Sequence, residues 1–149
     1  MTTEPPVFRT VADDSTLWWT LADGSPHRLD GPAVVHPDGT QEWWVDSQRH
    51  REDGPAVTRP NGYQRWYRHG RLHRVDGPAV VYSNGSRRWY RDGSLHREHG
   101  PAVLWKDGAQ SWYLNGIMVA AQEPGGSLEV ASGWSIDEDG VPHRVEAVL

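Results

Sequence analysis

The chain has 149 residues, no cysteine and a formal net charge of −5 at pH 7, with nine Trp and five Tyr against a single Phe. Without thiols, disulfides and thiolate metal sites are excluded, and nothing points to an oxidising compartment. No stretch approaches the ~20 apolar residues of a membrane span, so a soluble, cytoplasmic protein with a core of one domain's size is expected.

The N-terminal stretch "MTTEPPVFRTVADDSTLWW" has neither a basic start nor an apolar run, so no signal peptide is expected. Trp18 to Leu29 reads "WWTLADGSPHRL", a worn copy of a unit that recurs along the chain, and residues 1–26 are expected to form an N-terminal cap. From His27 one block recurs every 23 residues: "HRLDGPAVV", "HREDGPAVT", "HRVDGPAVV" and "HREHGPAVL", starting at His27, His50, His73 and His96. Fixed-period self-similarity of this kind marks a repeat architecture, here over residues 27–118. Within each copy a β-rich run such as Ala79 to Tyr82 is followed by Asp38-Gly39, Asn61-Gly62, Asn84-Gly85 or Asp107-Gly108. These pairs predict two-residue hairpin turns with both central residues at positive φ. A second strand, Ser86 to Arg91 in the third copy, ends at Asp92-Gly93, with Asn115-Gly116 one copy on. Each copy thus predicts one β-hairpin. Residues 119–149 form a degenerate repeat and a C-terminal cap, in which "VAAQEPGGS" replaces a His-Arg block and Trp134 to Val145 echoes Trp18 to Leu29. The expected fold is all-β: a single solenoid-like, elongated antiparallel meander of 23-residue hairpins.

The string Gly85-Ser86-Arg87-Arg88-Trp89-Tyr90-Arg91-Asp92-Gly93 resembles the MORN repeat, more closely its bacterial variant. The resemblance covers roughly His27 to Met118, and the His-Arg-x-Asp-Gly-Pro-Ala block departs from the usual pattern. It implies stacked hairpins and a mostly non-enzymatic role, such as scaffold, dimerisation module, lipid-surface binder or antitoxin-like protein.

Strand side chains alternate faces, so Trp43, Trp66, Trp89 and Trp112 are expected in the core. Trp44, Tyr67, Tyr90 and Tyr113 are then expected on the opposite face, as a second packed stripe or an exposed ladder. Each copy supplies one His with no carboxylate or Cys in fixed attendance, so neither a metal site nor a cofactor is expected. Four near-equal copies also break no symmetry, as an active site must, and no catalytic residues are assigned. The His-Arg pairs, among them His50, Arg51, His73, Arg74, His96 and Arg97, are expected to staple hairpin to hairpin, with ligand gripping as the alternative.

Charge divides the chain into three. Residues 1–48 carry −6, residues 49–106 carry +7 and residues 107–149 carry −6. Arginine forks bind carboxylate and phosphate and stack on rings. Arg65, Tyr67, Arg68, Arg71, Arg88, Tyr90 and Arg91 are therefore the candidate binding residues of a basic, aromatic central face. The expected function is a non-enzymatic interaction module for an acidic partner protein. The alternative is binding or sequestration of a small, anionic, nucleotide-like ligand. Long nucleic acid is disfavoured by the acidic ends, and self-association is left open.

Overall fold

The structure, a computed structural model, describes residues 4–145. Among them it is all-β, with twenty short strands and no helix, so no helix is long and apolar enough to cross a membrane. The chain divides into two compact units, Met1–Arg71 and Leu72–Leu149.

The first unit holds β1 (Phe8–Val11), β2 (Leu17–Thr20), β3 (Val34–Val35), β4 (Gln41–Glu42), β5 (Trp44–Val45), β6 (Gln48–Arg49), β7 (Val57–Thr58), β8 (Gln64–Arg65) and β9 (Tyr67–Arg68). Strands β1, β2, β3, β4, β7 and β8 pair successively as an antiparallel sheet. Strands β5 and β6 form a separate two-stranded ribbon. At the division lies β10 (Arg71–Leu72).

The second unit repeats this plan with β11 (Val80–Val81), β12 (Arg87–Arg88), β13 (Tyr90–Arg91), β14 (Ser94–Leu95), β15 (Val103–Leu104), β16 (Gln110–Leu114), β17 (Ile117–Gln122) and β18 (Leu128–Val130). Here β11, β12, β15, β16, β17 and β18 build the sheet. A ribbon joins β13 to β14, and another joins β19 (Trp134–Ile136) to β20 (Pro142–Arg144).

Each copy thus makes two small hairpins rather than one, because the strand stops at the repeated Trp. The amide of Trp43 donates to Ala56 O and that of Trp89 to Ala102 O, which completes the sheet. Their carbonyls instead accept from His50 and His96, inside the ribbon. One residue therefore serves both layers, and the alternation of faces ends there. Trp112 is the exception. It lies within the continuous β16, where the register shifts between Trp112 and Tyr113.

The two turns of a copy also differ. At Asp38-Gly39 only the glycine has positive φ, and His36 and Thr40 close a three-residue loop with a type I turn and a bulge. The Asp38 side chain accepts the Thr40 amide at 2.8 Å, a role that Asn61 and Asn84 repeat. The expected two-residue turn occurs instead at the ribbon ends, where both residues have positive φ: Asp46-Ser47, His69-Gly70, Asp92-Gly93 and Asn115-Gly116.

The tightest burial belongs to the Ala-Val of the repeated block. Ala33, Ala56, Ala79 and Ala102 are 0% exposed, with Val34, Val57, Val80 and Val103 buried beside them. Each buried Val contributes about 1.5–3 kcal/mol. Of the Trp column, Trp43, Trp66 and Trp89 are only half-buried, whereas Trp112 is buried. Trp112 packs with Val119 and Ala120, against Trp134 and Ile136. Val119 stands where a His-Arg copy would begin, and there an apolar side chain closes the core.

Candidate functional site

Each repeated His is bonded to a turn one ribbon away. Its Nδ1 accepts the amide of the first central turn residue: Asp46 to His27, His69 to His50, Asp92 to His73 and Asn115 to His96, at 3.1–3.2 Å. The second turn residue donates to the carbonyl just before the His, as Gly70 does to Arg49 and Gly93 to Leu72. Both turn amides thereby find partners within the chain, which ties each ribbon turn to the His of the preceding ribbon. At His27 and His73 the carboxylates of Asp46 and Asp92 also stand 3.0 and 2.9 Å from Nδ1, an ion pair when the ring is charged.

The adjacent Arg braces the following corner. Arg28, Arg51, Arg74 and Arg97 donate to the carbonyls of Pro32, Pro55, Pro78 and Pro101. Arg28 lies 4.3 Å over the Trp19 ring, Arg51 4.1 Å over Trp43 and Arg97 4.1 Å over Trp89. These stacks leave one face of each Trp under a guanidinium rather than under core side chains. A Cβ on Gly31, Gly54 or Gly77 would stand 3.0 Å from that guanidinium carbon, so a larger residue at the corner would have to push the stacked Arg aside by a few tenths of an ångström. Arg28 and Arg51 also pair with Asp30 and Asp53, at 2.7 and 2.8 Å.

Trp19, not Trp18, takes the repeated Trp position at the N-terminal end. Its amide donates to Ala33 O and its carbonyl accepts from His27. The ribbon turn there is the longer, bulged type closed by Leu21 and Ser25, which explains the added spacing to His27.

The candidate arginines have diverse partners. Arg65 lies 5.0 Å from the Tyr63 ring centre and donates to the Tyr67 hydroxyl. Burial lowers its affinity for the proton, but Tyr67 and Tyr63 outweigh this and raise its pKa. Arg88 lies 5.2 Å from the Tyr82 ring centre and 4.9 Å from that of Trp105, a residue that is 43% exposed. Arg91 pairs with Glu98 at 2.9 Å and lies 3.4 Å from His96 Nε2. Arg88 and Arg91 therefore share no partner. Arg68, Arg71 and Arg87 are exposed, and among the described residues none of them meets a carboxylate.

Two clefts occupy equivalent places in the two units. One, of about 590 Å³, is lined by Arg28, Asp30, Trp43, Val45, Arg51 and Asp53 among others. The second, of about 560 Å³, is lined by the corresponding Arg74, Asp76, Trp89, Arg91, Arg97 and His99. Trp89 and Tyr90 both border it, because the strand is interrupted between them. The alternative candidates His73, Arg74, His96 and Arg97 converge here, whereas His50 and Arg51 line the first cleft. Among the described residues no three His, Asp or Glu side chains are placed to hold a metal ion.

Sequence reasoning passed over Glu42, which occupies the column of Arg65 and Arg88. It accepts from Arg49 at 2.8 Å and from His36 and Trp44 at 3.1 Å. Burial pushes its pKa up, but the bonds from Arg49, His36 and Trp44 outweigh that and hold it below its ordinary 4.5. A depressed carboxylate stabilises the fold fully above its unfolded pKa, and that contribution is lost as pH falls through the folded value. Glu42→Gln is therefore expected to lower stability at neutral pH by about 1–3 kcal/mol. It should also flatten the loss below pH 4.5, measured by urea denaturation across pH. Equal pH slopes in both proteins would remove Glu42 from the account.

No protein-family model matches the chain, and no curated protein shows significant similarity to it.

Proposed function

We propose that the chain is a non-enzymatic interaction module, a solenoid of MORN-like hairpin repeats with degenerate caps, whose arginine and aromatic side chains bind an acidic partner protein. The observation that carries this reading is the exposure of Arg68, Arg71 and Arg87 without a carboxylate, within a segment of net +7. Arginine stacked on rings, as at Arg88 between Tyr82 and Trp105, presents donors at low entropic cost. The His-Arg pairs, engaged with backbone in every copy, serve this module as joints. The second reading, a small anionic nucleotide-like ligand, draws on the 560 Å³ cleft where Arg74, Arg91 and Arg97 stand beside Trp89 and Tyr90.

Replacing Arg68, Arg71 and Arg87 together by Ala is expected to weaken binding of an oligo-glutamate peptide at least tenfold, with no change in melting temperature. All three are exposed, and among the described residues their side chains make no hydrogen bond or ion pair. Added salt should weaken wild-type binding as well, because exposed charges are screened over ~8 Å at ~0.15 M ionic strength. Fluorescence anisotropy reads both. Binding that ignores salt and the triple change would reject an electrostatic interface.

A further inference from the structure

The two clefts share a backbone plan and differ in charge. Where the first has Val45 and Asp53, the second has Arg91 and His99. The difference leaves one arginine without its usual partner. In the first two copies the corner Arg stacks on Trp, donates to the Pro carbonyl and gives its Nε to an Asp two residues on. Arg97 keeps the stack, at 4.1 Å on Trp89, and the bond to Pro101 O, at 3.1 Å. The residue two positions on is His99, which is exposed and brings no carboxylate. The adjacent Glu98 is held by Arg91 at 2.9 Å, and Asp76, which lines the same cleft, makes no ion pair with Arg97 among the described residues. The corner is also fixed from outside: the Gly100 amide donates to Gly140 O at 3.1 Å, with Gly100 at positive φ.

We propose that a side-chain carboxylate of an acidic peptide segment seats in this cleft on Arg97, in the place that Asp30 and Asp53 fill for Arg28 and Arg51. The proposal rests on the acidic-partner reading above and gives it an address. Arg97 offers a fork pre-positioned by Trp89 and Pro101, so little rotamer freedom remains to be lost on binding. Burial pushes the Arg97 pKa down from its ordinary value, the sign of a cation that lacks a compensating anion. Of the charged side chains that line this cleft, Arg74, Arg91 and Arg97 outnumber Asp76 and Glu98, whereas in the first cleft Asp30, Glu52 and Asp53 outnumber Arg28 and Arg51, so the first cleft serves as an internal control.

The test is His99→Asp, which supplies the missing carboxylate within the chain and matches the residue type of the other three copies. Binding of oligo-glutamate to the full chain should fall roughly ten- to a hundredfold, the worth of charge-assisted hydrogen bonds. Thermal stability should stay the same or rise. His99→Ala should keep binding within about threefold, and Arg97→Lys, which retains the charge but not the fork, should lose it. If His99→Asp and Arg97→Lys bind as wild type while the Arg68, Arg71 and Arg87 triple variant does not, the cleft proposal is overturned and the acidic-partner reading stands. If wild type does not bind oligo-glutamate at low salt, both fail. If inorganic phosphate binds in a His99→Asp-sensitive way and oligo-glutamate does not, the cleft belongs to a small anion, and the peptide proposal is rejected.

Discussion

Trp112→Ala is expected to lower the free energy of unfolding by about 3–5 kcal/mol, the cost of deleting a buried aromatic side chain. The ring is 6% exposed and packs with Val119 and Ala120 against Trp134 and Ile136, so its removal leaves a cavity that rigid sheet strands cannot close. The same change at Trp89 should cost clearly less. Trp89 is half-buried, and one side of it meets Arg97 at 4.1 Å; the guanidinium can follow the retreating surface or be solvated. Urea denaturation of the two variants side by side measures the difference. Trp112 also carries a buried Nε1 that finds no partner among the described residues, an uncompensated polar group. Trp112→Phe should therefore cost much less than Trp112→Ala. Equal losses at Trp89 and Trp112 would mean that the column is one uniform core after all.

The 23-residue period made strand and turn positions legible, because Gly, Pro and Asx residues constrain the backbone directly. Which column forms the core was not legible. Size and apolarity pointed to Trp, yet Ala79 and Val80 are buried more deeply than Trp89. A pattern of alternation does not announce that a strand will stop at its largest residue and hand its carbonyl to a second layer, as Trp89 does to His96. The Asp38-Gly39 turn was placed correctly in sequence and assigned the wrong geometry. Its Asp side chain accepts the amide two residues on, which favours a bulged loop over two residues at positive φ. Within the site, the break of the Asp column at His99 was visible in the sequence. Its consequence, an Arg97 held in place without a carboxylate, needed the bonds of the intact copies for comparison.

The double change of His73 and Arg74 to Ala should destabilise the fold by about 1–3 kcal/mol. The bonds lost include that of the Asp92 amide to His73 Nδ1 at 3.2 Å and that of Arg74 to the Pro78 carbonyl at 3.3 Å. The first loss falls on a turn whose Asp92 and Gly93 both sit at positive φ. That conformation costs a non-glycine residue energy and persists only while its surroundings impose it. The second falls on a half-buried Pro78 carbonyl, and it empties the space over Gly77, where no side chain exists to fill it. Single changes should each account for part of the loss, and the difference between their sum and the double measures the coupling of the two neighbouring joints. Urea denaturation gives stability, and oligo-glutamate binding well below the melting temperature gives function. A double variant as stable as wild type that no longer binds would make the pair a binding element, and the recurrence of His-Arg would then have to be explained by ligand chemistry rather than by the joints it makes with the turns.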